Sequence, residues 1–396
     1  MNHLCMGLAT CYNKLRQAVI ENIAILFKFI ILGDTVERRV IVGTQDGILS
    51  LYSWSPLTPG LPSLSPTAHF TDVAHTQSTP DLLSSSSQAK LISSKTSPQQ
   101  IAAMLIQTGI KDITSELDFE RCSHGSFAHG GFGSIHHGAL RDGQLVAIKC
   151  IEMLGQWGAW SPSDKHWKHA AHELYAWSKC DHPGIMKAIG FVLYKDAILL
   201  VSPWAQNGSL ARCLGNGSAC DKLRSCIELA SSLEYLHGIG IVHGDVKAEN
   251  IVVSDSGSTQ LVDFGSATFI HGFTLCFTRT SRSLPFSIRF TAPEILDGIN
   301  DKHTVETDIY ALGMTILQIA TGEPPYAGKS DRTVVSNVFR SILPHRPNFD
   351  DMISDQAEKD KLWNLLIRCW EQDPKLRPTA AEVKNALIEI KEASTA

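Results

Sequence analysis

Residues 243–250 read HGDVKAEN, and VDFGSA follows at positions 262–267. Asp245, Lys247, Asn250 and Asp263 thus stand beside two short apolar runs, Ile251–Val253 and Leu261–Val262, whose β-branched composition suits strands. Packing alone gives no reason for this, because a polar or charged side chain set against apolar strands is costly unless it has a partner. Phosphoryl transfer does give one. It needs a carboxylate to orient an attacking hydroxyl, a cation beside the migrating phosphate and hard oxygen ligands for magnesium.

Two upstream stretches bear on the same chemistry. Val146–Lys149 (VAIK) puts an ammonium at the end of an apolar strand, where it needs an anionic partner. Residues 127–135 (FAHGGFGSI) lie between presumptive strands, and the bare backbone at Gly130 and Gly133 lets N–H groups approach phosphate oxygens. An ordinary glycine-rich hairpin turn is the competing reading of that stretch. His166, His169, His172 and Glu173 raise the question of a zinc site. The six-residue step from His166 to His172 turns the helix by roughly 240°, so the three imidazoles do not share a face and a solvated helix face is the better account.

The elements that must position these groups are legible from periodicity. Leu145–Ile151 and Ala197–Val201 read as strands. Leu223, Cys226, Ile227, Ala230, Leu233 and Leu236 recur at three- and four-residue steps and predict an amphipathic helix. Ile309–Ala320 (IYALGMTILQIA) is apolar nearly all round and predicts a helix at the centre of a large helical body, with a further helix at Ala380–Ile390 closing the domain.

The chain has 396 residues, 43% of them apolar, enough for more than one compact unit. Its net charge of -5 supplies no global basic field, so nucleic acid is not an expected partner. Ten cysteines without a CxxC pair argue against a zinc ribbon or disulfide framework, and a reducing, cytoplasmic setting is expected, with the nucleus as an alternative. The apolar run Ala18–Gly33 is short and interrupted by Glu21 and Lys28, so stable membrane insertion is not expected; nor is a signal peptide, since no small-residue cleavage site follows. Three zones emerge: 1–55, of uncertain fold; 56–115, rich in Ser, Thr, Pro and Gln and expected to be a mostly disordered linker; and a globular domain over 116–392. Within the first zone, Arg39–Trp54 alternates apolar residues around Asp46-Gly47 and predicts a hairpin. It is similar to a fragment of a WD-repeat blade, but one copy cannot bury its faces without neighbours.

In their order along the chain, these motifs resemble the eukaryotic protein kinase catalytic domain, over nearly 70% of the sequence. The resemblance implies an α+β, bilobal architecture: a small antiparallel-sheet N-lobe with one helix (116–202), a hinge (203–206) and a larger, mostly helical C-lobe (207–392). It also implies transfer of the ATP γ-phosphate to Ser/Thr hydroxyls of protein substrates, with Mg2+ as cofactor. Asp245 would be the residue that accepts or orients the hydroxyl proton and Lys247 the stabiliser of the migrating group, while Asn250 and Asp263 would bind magnesium. Lys149, paired with Glu173, would hold the α- and β-phosphates. Ala128, Gly130, Gly133, Ile135, Ala147, Pro203 and Ala205 would surround the nucleotide, with Ser202 as a small gatekeeper. Thr291 would contact the catalytic loop, Glu294 would pair with Arg377, and Asp308 would anchor the catalytic loop from the buried helix. Lys247, in DVKAEN, resembles the Ser/Thr pattern; HGD and CWEQDP are similar to the tyrosine-kinase-like group and to fungal kinase-like families.

Two positions depart from the family pattern. Ala128 stands where the first loop glycine belongs, and Gly244 stands where an arginine normally meets an activation-loop phosphate. The second departure implies activity that does not require that phosphate, although Thr274, Thr278, Thr280, Ser281 and Ser283 are available acceptors. Together they leave a pseudokinase, an ATP-binding signalling scaffold, as the alternative.

Overall fold

The computed structural model describes residues 24–32, 35–43, 49–54, 90–93, 96–123, 128–130, 133–151, 166–195, 197–217, 220–270, 275–277, 287–298 and 302–395. They divide between two compact units, 1–85 and 86–396.

In the first unit, β1 (Ala24–Leu32), β2 (Thr35–Gly43) and β3 (Leu49–Trp54) form a three-stranded antiparallel sheet. The hairpin read at Arg39–Trp54 corresponds to β2 and β3, paired from Arg38↔Trp54 to Gly43↔Leu49. Much of the apolar run at Ala18–Gly33 lies in β1. Among the described residues no helix is long and apolar enough to cross a membrane.

The second unit opens with β4 (Lys90–Ile92) and α1 (Pro98–Gln107), both within the stretch expected to be linker. That expectation is corrected for these residues. The Ser/Thr/Pro/Gln content hides a helix start: the Ser97 side chain accepts from the Gln100 N–H, Gln100 returns a bond to the Ser97 N–H, and Pro98 opens the first turn. Behind that cap, Ile101, Ala102 and Leu105 form an apolar stripe that is fully buried.

A six-stranded sheet follows, built from β5 (Leu117–Asp118), β6 (Ala128–Gly130), β7 (Gly133–Leu140), β8 (Leu145–Cys150), β9 (Gly190–Tyr194) and β10 (Ala197–Pro203). Its order is β5-β7-β8-β10-β9, with β6 on β7, and every pairing is antiparallel. Helix α2 (His166–Ser178) packs against this sheet at β10, and α1 also reaches that strand.

The remainder is mostly helical: α3 (Leu210–Gly215), α4 (Lys222–Gly238), α5 (Pro293–Leu296), α6 (Val305–Thr321), α7 (Asp331–Phe339), α8 (Gln356–Cys369) and α9 (Ala380–Thr395). Short strands β11 (Ile241–Val242), β12 (Ile251–Val253), β13 (Thr259–Leu261), β14 (Thr268–Phe269) and β15 (Leu275–Phe277) carry the loops between α4 and α5. The largely apolar α6 is buried from Thr307 to Ala320 and forms the centre around which α4 and α8 pack. Its Asp308, Thr315 and Gln318 are the polar exceptions in this apolar surface, and the candidate site accounts for them.

Candidate active site

Alternation along β8 decides which side chains face the cleft. Val146 and Ile148 are buried with Leu117, Val192 and Val201 in the small-lobe core, so Ala147 and Lys149 take the opposite face. Ala147 lies across from Ser202, Lys149 from Ile135 on one side and Leu200 on the other. Directly opposed residues share a face, so Ile135 and Ser202 look toward the same space. Pro203 ends β10, and the Trp204 N–H donates to the Leu145 carbonyl at 3.1 Å, tying the hinge to the strand before Ala205 is reached.

The β6–β7 hairpin pairs Ala128 with Ile135 and Gly130 with Gly133. Gly133 sits at φ +143°, and a Cβ there would lie 2.0 Å from the Cys150 carbonyl oxygen, so no other residue fits without moving β8. The tip of the glycine-rich segment, including Phe127, lies outside the described residues.

Lys149 Nζ is 2.6 Å from Glu173 Oε1 and 2.8 Å from Asp263 Oδ1, joining β8, α2 and the DFG turn. Burial alone would lower the Lys149 pKa, but the Asp263 and Glu173 carboxylates outweigh it and hold the value above the ordinary lysine range. Asp263 shows the mirror image: burial opposes its ionisation, yet Lys149, the Gly265 N–H and His243 keep its pKa below the usual 3.8. Its backbone is left-handed at φ 67°, ψ 78°, a conformation that a short polar side chain tolerates and that cost stability to install.

Asp245 sits in a second cluster. Its Oδ2 is 2.6 Å from Lys247 Nζ and accepts from Asn250 Nδ2 at 2.8 Å; its Oδ1 accepts from the Ser287 hydroxyl at 2.8 Å. Lys247 Nζ also donates to Ser287 Oγ at 2.8 Å. Thr291, which the resemblance places against the catalytic loop, lines one small cavity with Gly244, Asp245 and Val246, and its hydroxyl donates to the Ser287 carbonyl at 3.1 Å. Ser287 lies five residues before the Ala292-Pro293-Glu294 triplet and Thr291 one residue before it, and it is Ser287 that bonds Asp245 directly. With its NH2 bonded to Asp245, Asn250 keeps a side-chain carbonyl oxygen as its remaining polar atom. That oxygen and the Asp263 carboxylate are hard ligands of the kind magnesium takes.

Beneath the site, Asp308 accepts from the backbone N–H of His243 (2.8 Å) and of Gly244 (2.8 Å) and is 3.0 Å from His237 Nε2. Thr315 donates to the Val246 carbonyl at 3.1 Å, and Gln318 accepts from the Ala248 N–H at 3.0 Å. Steps of seven and three residues place all three on one side of α6, so a single helix face holds the backbone of the catalytic loop. Thr315 and Gln318 were not singled out from sequence, although two polar residues inside IYALGMTILQIA were the available signal. Farther out, Arg377 makes a two-pronged pair with Glu294 at 2.7 and 2.8 Å and is itself buried. No group able to hold a metal through three or more His, Cys, Asp or Glu side chains occurs among the described residues, the helix bearing His166, His169 and His172 included.

Gly244 stands at φ +79°, and a Cβ there would meet the Ser266 carbonyl oxygen at 2.6 Å and the His303 ring at 3.0 Å. Restoring a side chain therefore strains the loop. Gly244→Ala should lose about 1–2 kcal/mol of stability through the left-handed backbone alone, read as a melting point lower by roughly 2–8 °C. A melting point equal to or above that of the native chain would refute the strain.

Lys149 bonded to Glu173 and Asp263, and Asp245 bonded to Lys247, Asn250 and Ser287, carried by a small antiparallel sheet and a larger helical body, define a phosphotransferase scaffold. Residues 124–387 match the protein kinase domain family, and the chain belongs to it. It is 28% identical over 288 residues to the serine/threonine-protein kinase SSK22 of Saccharomyces cerevisiae, covering 67% of this chain and 21% of that protein. It is 26% identical over 259 residues to mitogen-activated protein kinase kinase kinase 2 of Arabidopsis thaliana, covering 64% of this chain and 38% of the relative. The tyrosine-protein kinase Src64B of Drosophila melanogaster is 26% identical over 256 residues, or 63% of this chain and 43% of that protein. The chain therefore spans less than half the length of each of these relatives.

Proposed function

We propose that this chain transfers the γ-phosphate of ATP to serine or threonine hydroxyls of protein substrates, with Mg2+ bound by Asp263 and Asn250. One observation carries the reading: Lys149 is bonded to both Glu173 and Asp263 while Asp245 is held by Lys247, Asn250 and Ser287. The substrate hydroxyl gives its proton to Asp245 as its oxygen bonds to the γ-phosphorus, and the bond to the β-phosphate oxygen breaks. Lys247 lies within reach of the charge that develops on the phosphoryl group. When bound, magnesium neutralises the phosphate oxygens. Lys247 and Ser287, each bonded to Asp245, line a groove together with Glu249, Ile288, Phe290 and Pro324. Lys247, two residues after Asp245 in DVKAEN, resembles the Ser/Thr pattern and supports a serine or threonine acceptor.

The protein substrate is expected to lie along that groove. A cytoplasmic site of action is supported by the seven free cysteines among the described residues. A nucleotide-sensing scaffold rests on Ala128 and Gly244 alone, and against it the lysine, both carboxylates and the amide are all in place.

The test is transfer of radiolabelled phosphate from ATP to a generic basic protein, followed by identification of the labelled amino acid. The native chain should label serine or threonine, and Asp263→Ala should lose at least about a hundredfold in rate. Equal rates, or label on tyrosine alone, would refute the reading. Phosphatase pretreatment should leave the native rate within about twofold, because Gly244 offers no charge partner to a loop phosphate.

A further inference from the structure

Among the described residues between Asp263 and Glu294, one short strand is tied to a segment from outside the family-matched region. That strand, β15, pairs in parallel with β4, which precedes the family-matched residues 124–387, in the register Leu275↔Lys90, Cys276↔Leu91 and Phe277↔Ile92. The side chains alternate as an augmented edge requires: Leu91 is 58% exposed, whereas Ile92 is 0% and Leu275 3% exposed. Six residues after β4 ends, α1 begins and buries Ile101, Ala102 and Leu105 in the same core as Ala170, Ala171 and Leu174 of α2, the helix that carries Glu173. Tyr175, on that helix, joins the two parts. It is fully buried, its ring packs on Phe269 of β14 at 5.8 Å, and its hydroxyl accepts from the Leu275 N–H at 3.4 Å.

We propose that Lys90–Gln107 is a built-in activator, in which β4 orders the activation segment by main-chain pairing while α1 braces the helix that presents Glu173. The clamped arrangement is the competent one, since Lys149 bridges Glu173 and Asp263 and Ser287 is bonded to Asp245 in its presence. It supplies by strand pairing the order that an arginine at position 244 would draw from a phosphate, and Gly244 cannot draw it. The inference rests on the phosphotransfer reading for its effect on rate, but not for its structural content.

The experiment uses the full chain after phosphatase treatment, with Ile92→Asp, and Leu91→Asp as the control on the exposed side of the same strand. Turnover and amide exchange at Leu275–Phe277 are measured together. Ile92→Asp should slow turnover and quicken exchange at β15 by about tenfold or more each, and Leu91→Asp should change both by less than about twofold. A folded Ile92→Asp protein with native exchange at β15, or a Leu91→Asp protein impaired to the same extent, would overturn the clamp. If Ile92→Asp does not fold, Tyr175→Phe decides, because it removes one acceptor and no apolar contact: the Leu275 amide should exchange faster, and native exchange there sinks the proposal. Should the native chain transfer no phosphate, the functional reading fails, while exchange at β15 still answers for the clamp.

Discussion

Replacing Lys149 with methionine should cut turnover by at least about a hundredfold and, separately, weaken the nucleotide-free fold. The second effect follows from burial. Glu173 is 0% exposed, and its Oε1 lies 2.6 Å from the lysine nitrogen that methionine would remove. Truncating one member of a buried ion pair usually costs about 3–5 kcal/mol, because the remaining charge loses its counter-ion or must take up a proton. Asp263 loses the same cation but is 21% exposed, so water limits its share. The two effects can be separated. Adding Glu173→Gln to Lys149→Met removes the stranded charge, so the double variant should recover most of the lost melting temperature and none of the turnover. If the double variant melts no higher than Lys149→Met alone, the carboxylate is not what the lysine stabilises. If Lys149→Met retains native turnover, Lys149 does not hold the phosphates.

The parts of the site that were legible in sequence share a physical property: each is a polar group where packing wants an apolar one. Lys149 at the end of VAIK, Asp245 and Asn250 next to a strand, and Asp308 in an apolar helix all stand out on this ground. Ser287 did not, because serine is unremarkable in a loop and its role depends on the chain folding back 42 residues to Asp245. The flank at 90–107 was hidden for the opposite reason. Its composition is that of a linker, and only the cap at Ser97 and the spacing of Ile101 and Leu105 mark a helix. β4 could not have been foreseen at all: three residues carry no periodicity, and the strand exists because β15 offers it an edge. The sheet, by contrast, was readable at Leu145–Ile151 and Ala197–Val201, since alternation within a strand is local information.

Asp308 is the residue whose loss should damage stability and catalysis together, although it lies one layer below the cleft. Its Oδ1 accepts from the Gly244 N–H, and its Oδ2 accepts from the His243 N–H and meets His237. Asparagine keeps one of those oxygens and turns an NH2 toward a backbone N–H or toward His237, donor against donor. With Asp308 1% exposed, no water can relieve the clash, and a loss of about 3 kcal/mol is expected. For a domain of this size that is a fall of roughly 6–12 °C in melting temperature. Turnover at temperatures where Asp308→Asn is still folded should also drop, because His243 and Gly244 set the backbone from which Asp245 projects. The pH dependence supplies an independent check. Burial opposes ionisation of Asp308, but the bond and charge of His237, together with His243 and the Gly244 N–H, hold its pKa below the ordinary 3.8. A depressed carboxylate stabilises the fold fully above its unfolded pKa, and the contribution is lost as pH falls through the folded value. The stability gap between the native chain and Asp308→Asn should therefore be constant from neutrality down to about pH 4 and narrow below it. A gap that widens in acid, or one absent at neutral pH, would mean that the catalytic loop is held by Thr315 and Gln318 without Asp308.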